Sequence, residues 1–84
     1  MLEQIAERIE NELKVADAGL FCDYKPGYRA IASEIEDGYV IQYFKTTEEM
    51  PPFNAESFTN ITDCVKEMVK ISAEWREVEV DDEE

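Results

Sequence analysis

"YRAIASEIEDGYVIQYFK", residues 28–45, decides the architecture of this chain. Asp37-Gly38 lies between two runs rich in β-branched and aromatic residues, and that dipeptide is the strongest short-range hairpin signal. The stretch reads as a strand over 28–36, a tight turn, and a returning strand over 39–45. With Glu36 opposite Tyr39, one face carries Ile31, Ser33 and Ile35 beside Val40, Gln42 and Phe44. The other carries Tyr28, Ala30, Ala32 and Glu34 beside Tyr39, Ile41 and Tyr43. Side chains alternate along a strand, but both faces are substantially apolar here, so alternation alone does not choose the buried one. The Ile/Val/Phe set is the expected core, although the alanines would admit a close helix. The tyrosine-bearing face is then the expected open side, where rings suit an interface.

Upstream, "LFCDY" (20–24) leads into Pro26-Gly27. Proline presets the first central position of a type II turn and glycine supplies the positive φ of the second. A short first strand therefore completes a three-stranded antiparallel meander. Before it, Leu2, Ile5, Ala6, Ile9, Leu13 and Ala16 recur at helical spacing, and Gly19 sits where helices commonly end. This predicts a helix over 2–18. Downstream, Pro51-Pro52 removes two backbone donors and excludes a continuous helix or a central strand there. Phe58, Ile61, Val65, Met68, Val69, Ser72 and Trp75 then mark a second amphipathic helix over 55–76, with Asn54 as its N-cap and Ser57 as the competing start. Two amphipathic helices and one small sheet make a two-layer α+β domain spanning 1–78, followed by an acidic tail at 79–84.

The chain has 84 residues and a net charge of −13, from 21 acids against 8 bases. Nine aromatic residues and a hydrophobic fraction of 44% argue against disorder. The charge disfavours direct binding to nucleic acid or to an anionic membrane and favours a basic partner. A salt-loving host or simple solubility are the plain alternatives. No signal-peptide or membrane-spanning pattern is read in the chain, which is expected to be cytoplasmic, with Cys22 and Cys64 as free thiols. The Asn60-Ile61-Thr62 sequon then has no glycosylation role.

Groups that carry catalysis are scarce. There is no histidine, and two cysteines cannot close a four-ligand zinc site. Asp63 and Glu67 surround Cys64 with negative charge, the reverse of what activates a thiol. Nothing spaces the terminal "DDEE" into a coordination shell. No enzyme, metal or cofactor is expected.

The acid falls in three clusters. Helix one carries Glu3, Glu7, Glu10 and Asp17, interrupted by Lys14; the hairpin tip carries Glu34, Glu36 and Asp37; the carboxyl end carries Glu74, Glu77, Glu79, Asp81, Asp82, Glu83 and Glu84. A compact chain of this length is about 30 Å across, and duplex DNA of that length carries about 18 phosphate charges. The charge densities are comparable. In size, acidity and mixed α+β order, the whole chain resembles the small acidic inhibitors of phages and mobile elements, anti-CRISPR proteins and other DNA mimics. That resemblance implies carboxylates standing in for phosphates against the arginines and lysines of a nuclease or nucleic-acid-binding complex. The expected contact residues are the three clusters together with Tyr39 and Tyr43. The alternative is a small structural or regulatory domain, a homodimer among its forms, that associates through the tyrosine-bearing face or Met68 and Trp75, with acid only for solubility.

Overall fold

The computed structural model describes residues 2–46 and 51–79. In chain order the elements are α1 (Leu2–Val15), β1 (Leu20–Lys25), β2 (Tyr28–Ile35), β3 (Gly38–Lys45), β4 (Asn54–Phe58), α2 (Ile61–Ile71) and β5 (Arg76–Glu77). The fold is α+β: two helices on an antiparallel sheet of five strands, ordered β4-β3-β2-β1-β5. The expected meander forms its centre, and two short strands extend it on either side.

The hairpin pairs differently from the expectation. Glu34, not Glu36, lies opposite Tyr39, and Ile35 lies opposite Gly38, so Glu36 and Asp37 form the tip. The reason lies at Gly38. Its φ is +150°, and a Cβ there would stand 2.1 Å from the carbonyl oxygen of Phe58. The glycine is needed where β4 presses against β3, at the start of the strand rather than in the turn. The pairing differs by two residues, so every side chain keeps its face.

Which face is buried is the reverse of the expectation. Ala30, Ala32 and Ile41 are fully buried beneath Ile9, Leu13, Cys64, Val65 and Met68 of the helices, with Leu20 and Cys22 of β1 beside them. Tyr39 and Tyr43 are half-buried and pack against this cluster. The two alanines decide the matter, because their small side chains let the helices approach the sheet closely. Phe21, Ile31, Val40 and Phe44 remain half-exposed on the other side, and Ile35 is 41% exposed.

Both helices are shorter than their periodicity. α1 stops at Val15, with a last backbone bond from Ala16 to Leu13. Gly19, at φ +96°, lets the chain pass against β2, since a Cβ there would meet the carbonyl oxygen of Ala32 at 2.2 Å. α2 begins at Ile61, not 55. Its N-cap is Asn60, whose Oδ1 accepts from the Asp63 backbone N–H at 2.9 Å. Asn54, expected to cap, instead opens the edge strand β4. At the other end Ser72 caps the helix and Trp75 folds back beneath it, its Nε1 donating to the carbonyls of Met68 (3.2 Å) and Ser72 (3.0 Å). These bonds satisfy carbonyls that a helix end leaves open. Cys22 and Cys64 are both free and buried. Among the described residues no helix is long and apolar enough to cross a membrane.

Candidate acidic interface

Register and contacts place much of the acid at one end of the sheet. Glu36 and Asp37 form the hairpin tip, and Glu34 sits just inside it, opposite Tyr39. Burial raises the pKa of Tyr39, and Glu34, Cys64 and Glu10 each add to the rise, so Glu10 of α1 faces the same ring. Leu20 pairs with both Ala32 and Glu77, and the Val78 backbone N–H donates to the Gly19 carbonyl at 2.9 Å. That anchors β5 beside the end of α1, where Asp17, Glu77 and Glu79 line one shallow surface depression. Seven carboxylates therefore gather here: Glu10, Asp17, Glu34, Glu36, Asp37, Glu77 and Glu79. Among the described residues two cations stand near them: Lys14 pairs with Glu10 at 3.5 Å, and Arg76 lines a depression with Glu77 and Glu79.

Not every expected residue joins them. Glu3 and Glu7 lie one to two turns before Glu10 on α1 and point to solvent. Glu74 is not on a helix; it sits in the loop after α2, where its backbone N–H donates to Ser72 Oγ at 3.1 Å. It borders a depression with Phe21, Asp23 and Arg76, away from the hairpin tip. Asp81 and Asp82 lie outside the described residues. Tyr39 and Tyr43 belong to the covered face and form no free aromatic patch. Burial, reinforced by Glu56 and Glu67, pushes the Tyr43 hydroxyl up to about 12.

The opposite end of the meander has another character. Lys25 and Lys45 stand there against four rings, Tyr24, Tyr28, Tyr43 and Phe53, whose successive centroids are 5.9–6.4 Å apart in a closed circuit, and Arg29 stands at the same end on the opposite sheet face. Lys25 Nζ lies 4.4 Å above the Tyr28 ring. Arg29 donates from Nε to Asp23 at 2.7 Å and stacks on Phe21 at 4.7 Å. Asp23 is held below the usual carboxylate range, chiefly by that hydrogen bond. The strands are thus acidic at one end and basic at the other.

The strand positions of the uncovered sheet face carry little acid, although Glu74, Glu77 and Glu79 border it on the β5 side. Those positions are Phe21, Asp23, Arg29, Ile31, Ser33, Ile35, Val40, Gln42, Phe44, Ala55, Ser57 and Arg76, and Asp23, paired to Arg29, is the one carboxylate among them. Sequence reasoning missed this segregation, because it depends on which face the helices choose. The concavities described are shallow and open to solvent, up to about 610 Å³ over the Pro26-Gly27 turn. Among the described residues no group of three or more His, Cys, Asp or Glu side chains is placed to hold a metal ion. No family model, curated protein or solved structure matches the chain.

Proposed function

We propose that this protein is a non-catalytic acidic binder that occupies a basic, nucleic-acid-binding surface of another protein and competes there with DNA or RNA, in the manner of the DNA-mimic and anti-CRISPR inhibitors. One observation carries the reading: seven carboxylates, against Lys14 and Arg76, at the hairpin end of the sheet. From β3 to β5 that end is about 14 Å wide at the usual strand spacing. Duplex DNA of that length presents about eight phosphate charges, of the same order as the number of carboxylates gathered here. Gathering like charges this way opposes folding, so solubility alone gives no reason to place them together. Glu10, Glu34 and Glu77 lie in regular elements, and Glu36 and Asp37 in the two-residue turn between paired strands, which limits the chain ordering needed at the moment of binding.

The experiment is affinity capture from the native host on the immobilised chain, followed by elution with duplex DNA or RNA. The expected result is a protein that binds nucleic acid and is released by it. The substitutions Glu34→Gln, Glu36→Gln and Asp37→Asn together should abolish or sharply weaken that capture. A captured partner that binds DNA and this protein simultaneously at full strength would overturn the proposal, as would capture indifferent to the triple substitution.

A further inference from the structure

We propose that the outer edge of β4 is a strand-addition site, which takes an extended basic segment of another protein and holds it by backbone hydrogen bonds, with a lysine or arginine opposite Glu56. The inference is independent of the proposed function, since it uses the backbone of β4 and Glu56 and none of the seven carboxylates at the hairpin end.

Three observations carry it. The first is the backbone. β4 is the outermost strand on its side of the sheet and pairs with β3 alone. The Ala55 N–H turns away from β3 to Asn54 Oδ1, at 2.9 Å, and the alternation of an antiparallel ladder turns Ser57 outward as well. Among the described residues, the Ala55 carbonyl and both backbone groups of Ser57 therefore face no strand. An edge left open in this way is a template for another chain.

The second is the lack of the usual safeguards. Proteins blunt exposed edges by shortening the strand, by bulges, or by proline and lysine within it. The opposite edge, β5, is two residues long, and the Val78 N–H that follows it is given to Gly19. β4 runs for five residues, Asn54–Phe58, in unbroken register with Tyr39–Tyr43. It contains neither proline nor lysine, and all its residues but Phe58 are exposed.

The third is charge, which selects the partner. Glu56 lies opposite the buried Ile41, on the helix-covered face. Glu67 of α2 faces the same side, since both carboxylates raise the pKa of Tyr43. Glu67 has Lys70 at 3.8 Å, whereas among the described residues Glu56 has no ion-pair partner. A residue added opposite Glu56 enters a non-hydrogen-bonded pair, the kind in which side chains stand closest. Two copies of β4 overlapped in full would set Glu56 against Glu56, and like charges directly opposite are destabilising. A lysine or arginine in that place is stabilised instead. Ala55 and Ser57, on the other face, are small and leave room for β-branched residues between the cations.

The probe is an end-capped peptide of alternating valine and lysine, about nine residues long, enough to span a strand with a margin. It should bind below about 1 mM and shift the amide resonances of residues 54–58 in isotopically labelled protein. N-methylation of its central residues removes the donors that face β4 without changing its charge, and should weaken binding at least about tenfold. The same modification at its ends is the control and should have little effect. Ser57→Pro removes the outward N–H at an edge position where proline is tolerated. It should weaken binding to a similar degree while the far-UV circular dichroism stays that of wild type. Glu56→Gln should weaken binding a few-fold, and Glu34→Gln, Glu36→Gln and Asp37→Asn together should leave it unchanged, which separates this edge from the hairpin end. No binding by that concentration overturns the proposal. So does equal binding of the centrally and terminally methylated peptides, or a set of shifts centred on residues 34–37.

Discussion

Alkaline titration isolates what burial of the two thiols contributes to stability. Cys64 exposes no surface and Cys22 only 5%. Burial pushes the Cys64 thiol from 9.0 up to about 12. Cys22 rises from 9.0 to about 11, mainly through burial, with a Ser72 hydrogen bond opposing and Asp23 assisting. In the unfolded chain both thiols ionise near pH 9, while in the folded chain they stay neutral well above it. Their contribution is therefore complete below pH 9 and is lost as the pH climbs toward the folded values. Each thiol loses about 1.4 kcal/mol per pH unit in that window, about 3 kcal/mol per unit for the pair. By pH 11 the loss is on the order of 5 kcal/mol, against a total stability of roughly 4–13 kcal/mol for a chain of this length. The protein should unfold cooperatively within that window.

Urea unfolding followed through the fluorescence of Trp75, at several pH values between about 8 and 11, measures the slope. In Cys22→Ala/Cys64→Ala the stability at pH 8 should be lower, because two small buried groups lose packing, but its decline with pH should be markedly shallower. Every other group that titrates in this range is common to both proteins and cancels in the comparison. Equal slopes in the two proteins would refute the reasoning. So would rapid alkylation of either thiol in the native protein at pH 8, since a sealed, neutral thiol is a poor nucleophile.

Gly38→Ala should cost several kcal/mol, because its Cβ would stand 2.1 Å from the Phe58 carbonyl oxygen, whereas Gly27→Ala, strained at φ +83° but open to space, should cost only about 1–2 kcal/mol; urea midpoints compare the two. Asn60→Ala removes the cap that accepts from Asp63 and should cost about 1 kcal/mol, with the loss seen first as faster amide exchange in the opening turn of α2. Neutralising Glu34, Glu36 and Asp37 together should raise the melting temperature by a few degrees, since like charges are being dispersed. That gain should vanish near 1 M salt, where the screening length is about 3 Å; a fall in melting temperature at low salt would contradict the clustering.

The sequence carried the meander and the two helices because their signals are local. Asp37-Gly38, Pro26-Gly27 and the 3.6-residue spacing in α1 each act within a few residues. The chosen face was illegible for a different reason. Ile31/Val40/Phe44 and Ala30/Ala32/Ile41 are equally apolar in pattern, and what separates them is how closely a helix can approach, a tertiary property of alanine. β4 was hidden because "NAESF" has weak strand propensity; it pairs with β3 over Tyr39–Tyr43, and its neighbour supplies the order. The end of α2 was obscured by Trp75, whose spacing continues the apolar stripe while its indole N–H turns back to cap the helix. A signal for the true start was present: Asn60 three residues before Asp63 is a capping pattern, and it outranks Asn54, which follows two prolines.

The placement of acid argues against solubility as its main cause. Seven carboxylates at the hairpin end repel one another, which solubility alone does not require, whereas the strand positions of the uncovered face hold one carboxylate, Asp23, paired to Arg29.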